Sequence, residues 1–133
     1  PFYERGYQAQ LRLHGPDHTS TLIAFNNLAR LRVDQGRAGE ILDALRQNVA
    51  DGVRALGSDT RVPAEFRQTL ARALAATGHS DEALAEWERA WQFTVQHQGA
   101  ESGDARELVA DVLDHARKLG REELAEGWQN RPH

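Results

Sequence analysis

FNNLARLRVDQGRAGE, residues Phe25–Glu40, reads as the end of one amphipathic helix, a glycine stop and the start of another. Apolar residues at Leu22, Phe25, Leu28, Ala29 and Val33 follow the i, i+3, i+4, i+7 spacing of one buried helical face. Gly36 falls where a helix end needs a residue that tolerates positive φ. A second periodic run, Ile41, Leu42, Leu45, Val49, Val53 and Leu56, begins within a few residues. So short a link leaves two helices as antiparallel neighbours, and the stretch predicts a helical hairpin.

The hairpin recurs. Gly36, Gly78 and Gly120 stand 42 residues apart, and so do Gly15, Gly57 and Gly99. With 11 glycines in 133 residues, random placement fills about 0.02 columns of such a frame with three glycines; two are filled, so an internal repeat is the better account. Other columns agree: Leu28, Leu70 and Val112; Ala29, Ala71 and Leu113; Ile41, Ala83 and Ala125. In the second helix the columns are Tyr3, Leu45 and Trp87, then Tyr7, Val49 and Trp91, then Leu11, Val53 and Val95. Residues 1–14 thus match the second helix of a truncated repeat. The whole repeats are expected at 19–56 (helices 19–35 and 39–56), 61–97 (63–77 and 81–97) and 104–130 (105–119 and 121–130), the last a candidate C-terminal cap. The linkers 15–21 and 57–62 and a frayed end at 130–133 complete a single all-α domain of about seven helices. Expected start signals are a Thr or Ser hydroxyl in 19–21, Pro63 in a first helical turn, Ser80 as a cap, and a capping box from Asp104 to Glu107.

Composition is that of an ordinary globular chain, 40% apolar and 27% charged, with a net charge of −4 mixed along every segment. Unblocked charge argues against a nucleic-acid footprint. No apolar run suits a membrane span and no leader is visible. The absence of cysteine removes disulfides and thiolate metal sites and fits a cytoplasmic setting. There is no methionine even at position 1, so a piece of a larger protein is expected, and arginine far outnumbers the single Lys118, which hints at a GC-rich bacterial genome.

FNNLARLRVDQGRAGEILDAL (25–45) and TLARALAATGHSDEALAEWERA (69–90) resemble the tetratricopeptide repeat, in the long form found in kinesin light chains and bacterial signalling proteins. The resemblance covers essentially the whole chain and implies an antiparallel hairpin solenoid coiled into a superhelix, with the first helix of each pair lining a concave groove. The chain departs from the family at Arg32, Leu74 and Ala116, where a bulky aromatic is usual, and at Ile41, where alanine is usual. Trp128 falls one residue out of phase with Trp87.

By this resemblance the groove would be lined by Ile23, Asn26, Arg30, Val33 and Asp34; by Glu65, Gln68, Arg72, Ala75 and Ala76; and by Glu107, Ala110, Asp114, Arg117 and Lys118. Asn26 and Gln68 would hydrogen-bond the backbone of an extended ligand. Arg30 and Arg72 would together grip a carboxylate or phosphate, with Arg117 and Lys118 as a second basic point. The alternative is that these arginines pair with Asp34, Glu65 or Asp114. The family's usual set of groove lysines and asparagines for a terminal carboxylate is absent.

Trp87 and Trp91 share columns with Leu45 and Val49 and read as core, whereas Trp128 would cap the stack or be half exposed. His14 and His18 are four apart, but Gly15-Pro16 breaks the helix between them, and no HExxH or carboxylate–histidine cluster is present. Neither a metal nor another cofactor is expected. Nucleophile elbow and phosphate loop are absent, and His115 does not converge with Asp111 and Asp114, so no enzyme is expected. The sequence therefore points to a non-catalytic scaffold that binds a protein or peptide through the groove, within a larger bacterial regulatory or signalling protein. Two other readings stand beside it. One is an oligomerisation or intramolecular regulatory module of a kinase or transcriptional regulator, and the other is a peptide or small-molecule sensor. Without a first helix before them, Phe2, Tyr3 and Tyr7 are expected to lie partly uncovered, inviting self-association or weakening that edge.

Overall fold

Glycine punctuation governs the architecture. The computed structural model describes residues 2–57 and 59–131; Ser58 of the expected 57–62 linker, and Pro132 and His133 of the expected frayed end, lie outside the described residues. Six glycines have positive φ, between +68° and +89°, and they are the six members of the two 42-residue columns. Within hairpins, Gly36, Gly78 and Gly120 close Schellman-type ends: Arg37, His79 and Arg121 each donate a backbone N–H, at 2.8 Å, to the carbonyls of Arg32, Leu74 and Ala116. Between hairpins, Gly57 and Gly99 take φ near +88° with ψ near 153°, a region open essentially to glycine alone.

The described chain is all-α: α1 Phe2–His14, α2 Thr19–Asp34, α3 Leu42–Leu56, α4 Arg61–Ala76, α5 Ser80–Gln98, α6 Gly103–Lys118 and α7 Glu122–Gln129, with one 3-10 turn at Ala38–Glu40. Each helix packs on its neighbours along the chain, and the first helices also meet each other, α2 on α4 and α4 on α6. One continuous core results, from Leu22 and Leu45 through Phe66, Leu74 and Trp87 to Leu108, Val112 and Trp128.

Helix starts differ from expectation in instructive ways. The second helix of the first repeat does not begin at 39. Arg37 supplies no side-chain cap, Gly39 is a poor helix former, and a 3-10 turn closed by Ile41 N–H on the Ala38 carbonyl precedes α3. His18, not a hydroxyl, caps α2, its Nδ1 accepting from Ser20 N–H; the Thr21 hydroxyl instead donates to the Gln10 carbonyl on α1. Ser80 is the first residue of α5 rather than its cap, because its hydroxyl is drawn across to His115. Ser102, not Asp104, caps α6, accepting from Ala105 N–H at 3.2 Å. Pro63 occupies the first turn of α4 as expected.

Trp87 and Trp91 are buried. Trp128 is buried too, despite its phase: its ring meets Trp91 edge-on at 5.8 Å, and the Arg131 guanidinium lies 4.1 Å from its centroid. Gly52 is buried for a steric reason, since a Cβ there would stand 3.0 Å from the Phe66 ring.

Candidate functional site

The first helices α2, α4 and α6 set their side chains against one another along one face. On α4 the i, i+4, i+8 spacing of Gln68, Arg72 and Ala76 keeps these residues on one stripe. Two clefts open along this face and share Arg72. The first, about 140 Å³, takes in Asn26 and Arg30 of α2, Arg61, Glu65, Gln68 and Arg72 of α4, Phe93 and Thr94 of α5, and Asp104 and Glu107 of α6. The second, about 260 Å³, takes in Val33, Asp34, Arg72, Ala75, Ala76, Trp87, Asp111, Asp114, His115 and Lys118.

Asn26 is only 4% exposed, and its Oδ1 has no hydrogen-bond partner among the described residues. A buried acceptor without a donor is costly. Gln68 and Arg72, by contrast, are already engaged. Asp111 on α6 accepts from Gln68 Nε2 at 3.2 Å and from Arg72 Nη2 at 3.3 Å, and lies 3.1 Å from Arg72 Nε. This half-buried fork ties α4 to α6. Arg72 therefore does not stand beside Arg30 as a second free cation, and the acid that holds it is not one of the three the sequence reading named.

The remaining ions are distributed unevenly. Arg30 is exposed and makes no ion pair or hydrogen bond with a described residue, and Arg61 is held by Glu65 at 3.0 Å. On the opposite wall Asp104 and Glu107 make no ion pair with a described residue. The first cleft is thus bipolar, with a free cation on α2 facing free carboxylates on α6. Lys118 is held by Asp114 at 2.9 Å on the surface of α6. Arg117 is exposed and lines neither cleft, and Ile23 turns instead to the α1–α2 edge.

His115 is a participant the sequence reading set aside. It is buried in the wall of the second cleft, its Nε2 2.8 Å from Ser80 Oγ and its ring 5.6 Å from Trp87. Burial, and then the charges of Arg121 and Lys118, lower its pKa below the ordinary 6.5, against the opposing pull of Asp114. Asp111 had a sequence signal: it is the one charge in a column whose other members are Asn27 and Thr69. His14 and His18, which the broken helix was expected to separate, stack at 4.4 Å across the Gly15 turn. Among the described residues no group of three or more His, Asp or Glu could hold a metal ion, and no helix is long and apolar enough to cross a membrane. No protein-family model matches the chain, and no curated protein matches it significantly.

Proposed function

We propose that this chain is a non-catalytic binding module of tetratricopeptide-like, superhelical design that takes an extended peptide segment of mixed charge on its α2–α4–α6 face. The observation that carries the reading is the first cleft: a buried Asn26 Oδ1 without a donor lies beside the unpaired Arg30 and opposite Asp104 and Glu107. A peptide backbone N–H satisfies Asn26, an acidic side chain or terminus meets Arg30, and a basic side chain meets the α6 carboxylates. The 42-residue repeat and the resemblance of 25–45 and 69–90 to the tetratricopeptide pattern support the same reading. A regulatory or signalling role in a bacterial cytoplasm fits the absence of cysteine and the arginine-rich composition.

The test is selection from a random peptide display library against the wild-type chain, followed by affinity measurements on Arg30→Glu and Arg30→Lys. Selected peptides are expected to share an acidic residue, to lose about tenfold or more in affinity with Arg30→Glu, and to keep most of it with Arg30→Lys. Selected peptides that bind Arg30→Glu unchanged would overturn the reading.

A further inference from the structure

The 42-residue frame singles out two charges in the middle hairpin. Arg67 of α4 stands in a column whose other members are Phe25 and Val109, both apolar and packed against the core. Glu86 of α5 stands in a column with Phe2, Ala44 and Trp128. Charge thus enters two otherwise apolar columns of one hairpin, where burying an ion is costly unless it is paired. Both side chains line a cleft of about 440 Å³ between α3, α4 and α5, whose apolar surface comes from Val49, Val53 and Leu70. This cleft shares no residue with either cleft of the α2–α4–α6 face.

The other charges of the cleft are committed. Arg46 of α3 forks onto Glu82 of α5, Nη2 donating to Oε1 at 2.9 Å and Nε to Oε2 at 3.2 Å, and Arg54 is held by Asp51. Glu86 is 8% exposed; its Oε1 accepts from Arg89 Nη1 at 2.9 Å, while its Oε2 is buried with no hydrogen-bond partner among the described residues. Arg67 is half-buried and makes no ion pair or hydrogen bond with a described residue, and its Nε is buried as well. The two do not pair with each other. One guanidinium and one carboxylate oxygen therefore remain beside the apolar surface.

We infer that this cleft is a binding site for a free α-amino acid with a branched apolar side chain. The carboxylate of the amino acid meets the Arg67 guanidinium, its ammonium donates to Glu86 Oε2, and its side chain lies on Val49, Val53 and Leu70. Such a zwitterion presents an anion, a cation and an apolar group from one carbon, matching the cleft's residual cation, carboxylate oxygen and apolar surface one for one. A ligand with a single charge would leave the opposite group of the cleft uncompensated. The site does not depend on the peptide cleft of α2, α4 and α6.

The test is an NMR titration of the isotope-labelled full chain with L-leucine, and with L-leucinamide and N-acetyl-L-leucine, which lack the carboxylate and the ammonium respectively. L-leucine is expected to shift Val49, Val53 and Leu70 saturably with a Kd of about 1 mM or tighter, and each analogue to bind about tenfold or more weakly. Arg67→Phe and Glu86→Ala install the residues that the first repeat carries in the same columns, Phe25 and Ala44, so the fold is expected to survive them. Arg67→Phe is expected to remove the preference for L-leucine over L-leucinamide, and Glu86→Ala the preference over N-acetyl-L-leucine. No saturable shift with L-leucine, analogues that bind as tightly as L-leucine, or variants that keep both preferences would overturn the inference.

Discussion

Gly99, at φ +89° and ψ 154°, sits where any Cβ is strained, whereas Gly103, at the start of α6, has open space around a Cβ and ordinary helical backbone. Gly99→Ala is therefore expected to cost about 1–3 kcal/mol in urea unfolding, and Gly103→Ala less than about 0.5 kcal/mol. Equal costs would show that the turn glycines are not selected for φ. His115 gives a second residue-scale prediction. Its pKa in the fold lies below the ordinary 6.5, so between the two values the unfolded chain binds a proton that the folded chain refuses. The resulting penalty is absent above the ordinary value and grows as pH falls from there through the lowered one. His115→Gln, which keeps a polar partner for Ser80, is expected to flatten that part of the stability–pH curve; an unchanged slope would contradict the burial argument. The turn glycines were legible because their spacing is a backbone requirement repeated in register. The Ser80–His115 bond was not, since residues 35 apart meet only once hairpins stack.

At the scale of elements, α7 is the shortest helix among the described residues; it packs on α6, while Trp128, its one buried residue, and Arg131 just beyond it tie it to α5. Trp128 packs on Trp91, and Arg131 lies over the Trp128 ring and 2.5 Å from Glu88. Trp128→Ala is expected to cost about 3–5 kcal/mol and to release α7 first, read as loss of its amide protection before that of α5. The α4–α6 tie makes a different prediction. Asp111→Ala removes the partner of both Gln68 and Arg72, and is expected to lower stability by about 1–3 kcal/mol while strengthening binding of acidic peptides, because Arg72 is then free. Lower stability with unchanged peptide affinity would mean that Arg72 takes no part in the face. Helix number and approximate bounds could be read from apolar periodicity, but the start of α3 could not. There a missing cap and Gly39 let a 3-10 turn intervene, a balance of tenths of a kcal/mol that pattern alone does not resolve. Caps failed similarly: several hydroxyls and carboxylates compete for each helix start, and the winner depends on what the losers can reach across the interface.

In the whole molecule, contacts run only between helices close along the chain, so protection is expected to peak in α4 and α5, which have neighbours on both sides, and to be lowest in α1, which has no buried residue. Uniform exchange across all seven helices would instead indicate a single cooperative core. The α2–α4–α6 face was legible as a set of columns, and both clefts draw on it, but the state of its charges was not. Asp111 lies outside those columns, and its capture of Arg72 leaves Arg30 as the cation of the first cleft without an ion pair among the described residues. The most direct measurement of the central proposal is an NMR titration of the isotope-labelled chain with a selected peptide. The proposal expects the largest shifts at Asn26, Arg30, Asp104 and Glu107, with the Asn26 side-chain amide among them. Shifts confined to the outer faces of α3 and α5, or to the α1–α2 edge, would contradict it.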